Sequence, residues 1–194
     1  MAPLTVDDLL PLDVYAPRRR EFFDSHRRYI DRFRRVRVGP RLTLIFENRQ
    51  TLWFRVQEIV RVARLSERRE VEQELDLYNR LLPDGQLLQA ALLLDVPDGD
   101  SKIHDWMNWQ HLDGECLRFV VGDEELSARL VTCRPEDRCA GAAHWVQFSF
   151  DDHTRQLLGD LDQPAFFRFE HGNYFHASQP LEAGLRQSLL ADLE

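Results

Sequence analysis

The chain has 194 residues, of which 43% are hydrophobic and 30% are charged, and its formal net charge is −8. This is the composition of a globular protein with a sizeable core, and no apolar run approaches the roughly 20 residues that span a bilayer. Three cysteines, Cys116, Cys133 and Cys139, are an odd number without a C-x-x-C pair, which favours reduced thiols over a disulfide framework. We therefore expect a single cytoplasmic domain covering residues 1–194.

Helical patterns dominate the first part of the chain. Thr5 and Asp8 have the spacing of a capping box, in which a hydroxyl and a carboxylate satisfy amides of a first turn. Pro17 suits the first position of a helix, and Gly39-Pro40 would end it, so we predict a helix over residues 17–37. A short buried strand over 42–46 and helices over 51–65 and 69–78 follow.

Alternating patterns dominate the later part. We predict strands over 87–96, 116–121, 127–133, 143–150, 165–170 and 173–176, helices over 102–112 and 151–161, and a closing amphipathic helix over 181–193. Helices early and strands late, with short connections, favour the α+β class: an antiparallel or mixed sheet with the N-terminal helices packed against it. The helical part would cover about 1–80, the sheet-rich part about 81–180 and the closing helix 181–193.

Two of the predicted strands, AHWVQFSF (143–150) and FFRFEHGNYFH (166–176), carry a histidine on their phenylalanine-rich face. Successive side chains of a strand point to opposite faces, so His144 and His171 share their faces with phenylalanines. We expect the two strands to be neighbours, with both rings turned towards one interior pocket near Glu58 or Glu47. His144, His171 and Glu58 would then form a metal site, for a transition metal such as iron. The alternative is structural, with each ring bonded to a backbone carbonyl.

A second concentration of polar residues comprises Glu47, Arg49, Gln57, Glu58 and Arg61. On a helix, residues three and four positions apart are neighbours, so the last three of these side chains would meet. Arginine offers a bidentate fork to carboxylates and phosphates, and the cluster could therefore bind an anion. It could equally be a structural network of ion pairs that joins a helix to the sheet.

Other candidates are weaker. The stretch HDWMNWQHLDGEC (104–116) contains His104 and His111, but no zinc signature has their spacing. Cys133 and Cys139 could form a redox pair, although loop cysteines of this kind are usually inert. The sequence has no glycine-rich phosphate loop, nucleophile elbow or dinucleotide fingerprint, which argues against a nucleotide-dependent enzyme or a serine hydrolase.

The predicted helix over 17–37 is rich in arginine. We predict that Arg27, Arg28, Arg34 and Arg35 lie on a solvated face, which could dock an acidic protein partner. Binding to nucleic acid is less favoured, because the aromatic residues of this helix lie on its apolar stripe and not among the arginines.

Several segments together resemble one bacterial family. They are TVDDLLPLDVY (5–15), FENRQTLWFRVQEIVR (46–61), ELDLYNRLLPDG (74–85), AHWVQFSF with EHGNY (170–174), and LRQSLLADL (185–193). Their order is similar to that of the family known as domain of unknown function 3501. The resemblance implies a cytoplasmic protein of unassigned activity that works near rubrerythrin-like or iron–sulfur electron-transfer proteins. It suggests a metal-assisted redox or oxidative-stress protein, or else a non-catalytic interaction module of an electron-transfer assembly.

Overall fold

The structure is a computed structural model that describes residues 1–94, 114–131 and 143–194. The helices of these residues are α1 Leu12–Phe33, α2 Arg49–Ala63, α3 Arg68–Asn79, α4 Asp152–Gly159 and α5 Ala183–Leu190. Their strands are β1 Arg35–Val38, β2 Leu42–Phe46, β3 Leu87–Leu94, β4 Leu117–Val121, β5 Glu124–Ser127, β6 Arg129–Val131, β7 Ala143–Ser149, β8 Ala165–His171 and β9 Tyr174–Ala177. Short 3₁₀ turns occupy Val6–Asp8 and Gly114–Cys116.

The strands form two sheets. The first sheet has the order β1-β2-β3-β7-β6 and the second has the order β5-β4-β8-β9. Every neighbouring pair is antiparallel. The class is therefore α+β, as predicted, and of the two sheet types that the sequence left open the antiparallel one is present.

The sheets pack face to face around a core of phenylalanines. The ring of Phe167, from the second sheet, lies 5.5 Å from Phe46 and 5.4 Å from Phe148 of the first sheet, measured between centroids. Leucines from α4 and α5 complete the same core. At one end Tyr174 ties the sheets together, because its hydroxyl donates to the Val38 carbonyl (2.8 Å) and accepts from the Arg41 amide (3.0 Å).

The N-terminal helices cover the outer face of the first sheet. Their own core contains Leu52, Val56 and Val60 of α2 and Leu75 of α3. Trp145 joins it from β7, because successive side chains of that strand alternate between the two faces. The predicted packing of helices against a sheet is therefore present, and it places α2 on the side of the first sheet that faces away from the second.

Two predicted elements differ from the structure. The helix predicted over 17–37 begins earlier, at Leu12, and ends at Phe33, so that Pro17 lies inside it. Its predicted last turn is instead β1, in which Val36 and Val38 alternate into the core opposite β2. Of the strand predicted over 127–133, Ser127 ends β5 in one sheet and Arg129–Val131 form β6 in the other, while residues 132–133 lie outside the described residues. The predicted helical part thus supplies two strands.

The closing amphipathic helix is confirmed over Ala183–Leu190, with Leu185 and Leu189 buried in the core. The helix predicted over 102–112 lies outside the described residues. In the part of the chain that is described, no helix has the length and apolar character needed to cross a bilayer.

Candidate functional site

The two predicted histidine ligands lie in different sheets. His144 is on β7, whose neighbours are β3 and β6, whereas His171 is on β8, between β4 and β9. The prediction of neighbouring strands is therefore wrong. The cause is α4, which follows β7 and carries the chain from the first sheet to the second before β8 begins.

Both histidines nevertheless project from the inner faces of their sheets. His144 alternates with Val146 and Phe148, and His171 alternates with Phe167 and Phe169, and all four of these neighbours belong to the core between the sheets. Each histidine is half-buried. Burial lowers the pKa of His144 below its ordinary value, so this imidazole is neutral at pH 7.

Glu58 lies elsewhere. It is on α2, where it accepts hydrogen bonds from the Tyr15 hydroxyl (2.8 Å) and from the guanidinium groups of Arg19 (2.8 Å) and Arg61 (3.0 Å). Burial raises the pKa of Glu58, but the hydrogen bonds from these three residues outweigh it and lower the pKa to about 2. Glu58 is not brought to either histidine. No group of three His, Cys, Asp or Glu that could hold a metal occurs among residues 1–94, 114–131 and 143–194.

His171 lies next to a side chain that can react or bind a metal, the thiol of Cys116. The Cys116 Sγ and the His171 Nδ1 are 3.4 Å apart. Cys116 ends the 3₁₀ turn before β4, and β4 pairs with β8 so that Leu117 is opposite Phe169. The same turn contacts β6, which pairs with β7, the strand of His144. The sequence assigned no role to Cys116, because only the strand pairing brings it to His171.

A groove runs along the outward face of α2, between α1 and α3. Its volume is about 470 Å³. Ile30, Phe54, Ile59 and Val62 form its apolar walls, and His26, Arg55 and Glu58 are polar groups that also line it. We call it the α2 groove. The sequence did not indicate it, since its walls come from side chains that look like ordinary amphipathic positions of separate helices.

Two polar groups of the α2 groove have unused hydrogen-bonding atoms. The ring of His26 stacks on Phe54 with centroids 3.9 Å apart, and its Nδ1 atom is buried without a partner in the described part of the chain. Burial, and then the charge of Arg55, lowers the pKa of His26 to about 4. The Arg55 Nε is likewise buried without a partner there, while another nitrogen of that group bonds to Glu47.

The polar residues that the sequence grouped together belong to separate contacts. Arg49 bonds to Asp8 (2.6 Å), and Gln57 exchanges two hydrogen bonds with the backbone of Leu10 (2.9 and 3.0 Å). Glu47 is fully buried, where Thr51 and Arg55 donate to it. Arg61 is bound to Glu58. These pairings agree with the structural alternative, since each charge is matched within the protein.

Comparison with known proteins identifies the family. A family model described as protein of unknown function (DUF3501) matches residues 3–193. The chain belongs to this family. Its fold is similar to the crystal structure of a novel protein of unknown function from Burkholderia pseudomallei K96243, with a TM-score of 0.87, 24% identity and 100% of each chain covered. No curated protein matches it.

The four arginines that were predicted to form a docking face of this DUF3501 protein are not all exposed. Arg27 and Arg28 are exposed on α1. Arg34 is instead buried in an ion pair with Asp192 and is only 2% exposed. Arg35 lies on β1, where it bonds to Asp31 (2.9 Å). The prediction is wrong for Arg34, because α1 ends before it.

A buried polar cluster surrounds Arg34. Its guanidinium bonds to Asp192 and to the Tyr29 hydroxyl (3.0 Å), and the Asn48 amide donates to Tyr29 (2.9 Å). Burial raises the pKa of Asp192, and the hydrogen bond and charge of Arg34 oppose that rise. This cluster ties the end of α1 and the start of α2 to the residues that follow α5. The remaining candidates, His104, His111, Cys133 and Cys139, lie outside the described residues.

Proposed function

We propose that this DUF3501 protein is a metal-assisted redox protein whose reactive group is the pair of Cys116 and His171. The observation that supports the proposal is the 3.4 Å contact between the Cys116 Sγ and the His171 Nδ1. A thiolate is the form of cysteine that attacks electrophiles and binds metals, and a neighbouring imidazole stabilises it.

The surroundings of the pair are consistent with this chemistry. Thiolate and imidazole are ligands for iron, zinc and copper. His144 projects into the same space between the sheets, and the 3₁₀ turn that ends at Cys116 contacts both β8 and β6, the partner of β7. A transition metal such as iron could therefore use Cys116 and His171, with His144 as the third ligand after a local rearrangement.

The partners that we propose are rubrerythrin-like or iron–sulfur electron-transfer proteins, as the family resemblance implies. With them, the protein would act in the response to oxidative stress. A thiolate reacts with peroxides by forming a sulfur–oxygen bond while the oxygen–oxygen bond breaks, which gives a sulfenic acid and hydroxide. Such a product would need a reducing partner to restore the thiol.

The reactivity of Cys116 tests the proposal. In a chain with Cys133→Ser and Cys139→Ser, Cys116 is the one remaining thiol. We expect His171→Ala to slow its alkylation by iodoacetamide at pH 7 by about tenfold, because the thiolate loses its stabilising neighbour. His153→Ala is the matched control, since the His153 side chain is 63% exposed on α4 and lies beside Glu124, which is opposite Val121 at the other end of β4 from Cys116. It should leave the rate unchanged.

Metal analysis of protein purified from its own host completes the experiment. Stoichiometric metal that is lost in Cys116→Ser and in His171→Ala would support metal binding by the pair. A metal-free chain whose Cys116 reacts like an ordinary thiol, equally fast with and without His171, would contradict the whole proposal.

A second function is a non-catalytic interaction module in an electron-transfer assembly. The observation that favours it is an exposed patch on α1, where Phe23 is 43% exposed and Arg27, one helical turn further on, is exposed as well. Arg28 lies beside them. An apolar ring bordered by arginines fits an acidic protein surface.

Charge reversal separates this function from the first. We expect Arg27→Glu with Arg28→Glu to abolish capture of an acidic iron–sulfur partner while the melting temperature stays within about 2 °C, because exposed charges contribute only about 0–1 kcal/mol each. The rate of Cys116 alkylation should not change. Retained capture by the double variant would contradict docking at this patch, and a collapsed fold would show that the two arginines are structural.

A further inference from the structure

We propose that the α2 groove is a binding site for a small amphipathic anion, that is, an apolar chain or ring system carrying one carboxylate or sulfonate group. The site lies on the outer side of the first sheet, whereas Cys116 and His171 lie between the two sheets. The inference is therefore independent of the function proposed above.

The shape and lining of the groove fit a molecule of this size. Its volume of about 470 Å³ falls within the range of small-molecule sites. Phe54, Ile59 and Val62 lie along one face of α2 at helical spacing, and Ile30 of α1 faces them across the groove. An aliphatic or aromatic body would replace water along this wall, which is the main source of affinity in such sites.

The charges around the groove favour an anion. Arg19 and Arg61 share the carboxylate of Glu58, and Arg55 is bonded to Glu47. Three arginines against two glutamates leave one positive charge, and it belongs to Arg19 and Arg61, because these two share a single carboxylate. Glu58 itself is saturated with three donors, so it does not repel a ligand as an isolated carboxylate would.

Arg55 is matched by Glu47, and it brings to the groove a hydrogen-bonding side chain that a ligand can reach. Its side chain lines the groove, is 38% exposed and lies over the ring of Trp145, 5.2 Å from the centroid. Only part of its fork is used, because the Nε has no partner within the described residues. His26, across the groove on α1, has an unpaired Nδ1 and is neutral at pH 7. A modest rotation of either side chain would offer a donor to an oxygen of the ligand.

The mouth of the groove has the open apolar edge that such a ligand needs. Val62, which is 68% exposed, forms part of the wall. A single exposed valine is ordinary on a surface. Here it continues the buried apolar wall outwards from Phe54 and Ile59, so that the wall is longer than the covered part of the groove.

Two fluorescent probes that differ in one charged group test the proposal on the full chain. They are 8-anilinonaphthalene-1-sulfonate and its uncharged analogue N-phenyl-1-naphthylamine, titrated separately at low salt. We expect the sulfonate to bind with a stoichiometry of one and about tenfold more tightly than the uncharged probe, since one charge-assisted contact is worth about that factor. Decanoate should displace it.

Matched variants locate the binding. Val62→Glu places a carboxylate in the groove at an exposed position, so it should abolish binding of the sulfonate without affecting folding. Phe175→Glu is the control, because Phe175 is 66% exposed on β9, outside the groove. It should bind like the wild type. Arg55→Met should remove the preference for the anion, and if that variant does not fold, Val62→Glu and the comparison of the two probes still decide the question.

Three results would overturn the proposal. Equal affinity for the charged and uncharged probes would show that the groove does not select anions. Binding that Val62→Glu leaves intact, or that Phe175→Glu removes, would place the probe elsewhere. Absence of sulfonate binding to the wild type would show that the groove does not take small anions, and loss of self-association in Val62→Glu would then assign the groove to a protein surface.

Discussion

Arg34→Met should lower the free energy of unfolding by about 3–5 kcal/mol, which is the usual cost of leaving one member of a buried ion pair without its partner. Arg34 and Asp192 are both nearly inaccessible, and each has a side chain that is 3% exposed. Without the guanidinium, Asp192 would keep a buried charge or take up a proton, and either outcome costs free energy. Urea denaturation at pH 7 measures the change.

Two further variants show whether the ion pair is the cause. Arg27→Met removes a surface charge on α1 and should change the free energy of unfolding by less than about 1 kcal/mol. Arg34→Met combined with Asp192→Leu removes both buried charges and should recover most of the loss. A double variant that is no more stable than Arg34→Met would contradict this account and assign the loss to packing.

Phe167→Ala should also cost about 3–5 kcal/mol, because it leaves a cavity at the centre of the core. Phe167 is 1% exposed, and its ring is within 5.5 Å of the rings of Phe46, Phe119 and Phe148, measured between centroids. These contacts join the two sheets, so the variant should lose stability in a single cooperative transition. Thermal unfolding followed by circular dichroism measures it.

Phe175→Ala is the matched control for Phe167→Ala. Phe175 is on the adjacent strand but is 66% exposed, so its removal should change the free energy of unfolding by less than about 0.5 kcal/mol. If Phe167→Ala is no more destabilising than this control, the contact between the sheets does not depend on that ring.

The elements with a strong local signal were predictable from the sequence. Alternation of apolar residues indicated β7 and β8. The spacing of Thr5 and Asp8 indicated the first turn, where the Thr5 amide donates to the Asp8 carboxylate (2.8 Å). Alternation states which side chains share a face. It does not state which strands are neighbours, and for that reason the assignment of His144 and His171 to adjacent strands was wrong.

The parts of the candidate site that could not be predicted depend on long-range contacts. Cys116 meets His171 across 55 residues of sequence, and Arg34 meets Asp192 across 158. Nothing in the local pattern marks either contact. The arginine-rich segment looked like one continuous helical face, but the buried valines of β1 end the helix and turn Arg34 into the core.

The separation of Arg34 and Asp192 along the chain delays the formation of their ion pair while the protein is being synthesised. The two residues are 158 positions apart. A ribosome that adds about 5–20 residues per second needs roughly 8–30 s to pass from one to the other. During this interval the nascent chain has α1, β1 and β2 but lacks the carboxylate that neutralises Arg34. The end of α1 therefore gains its buried ion pair only after the last helix has been made.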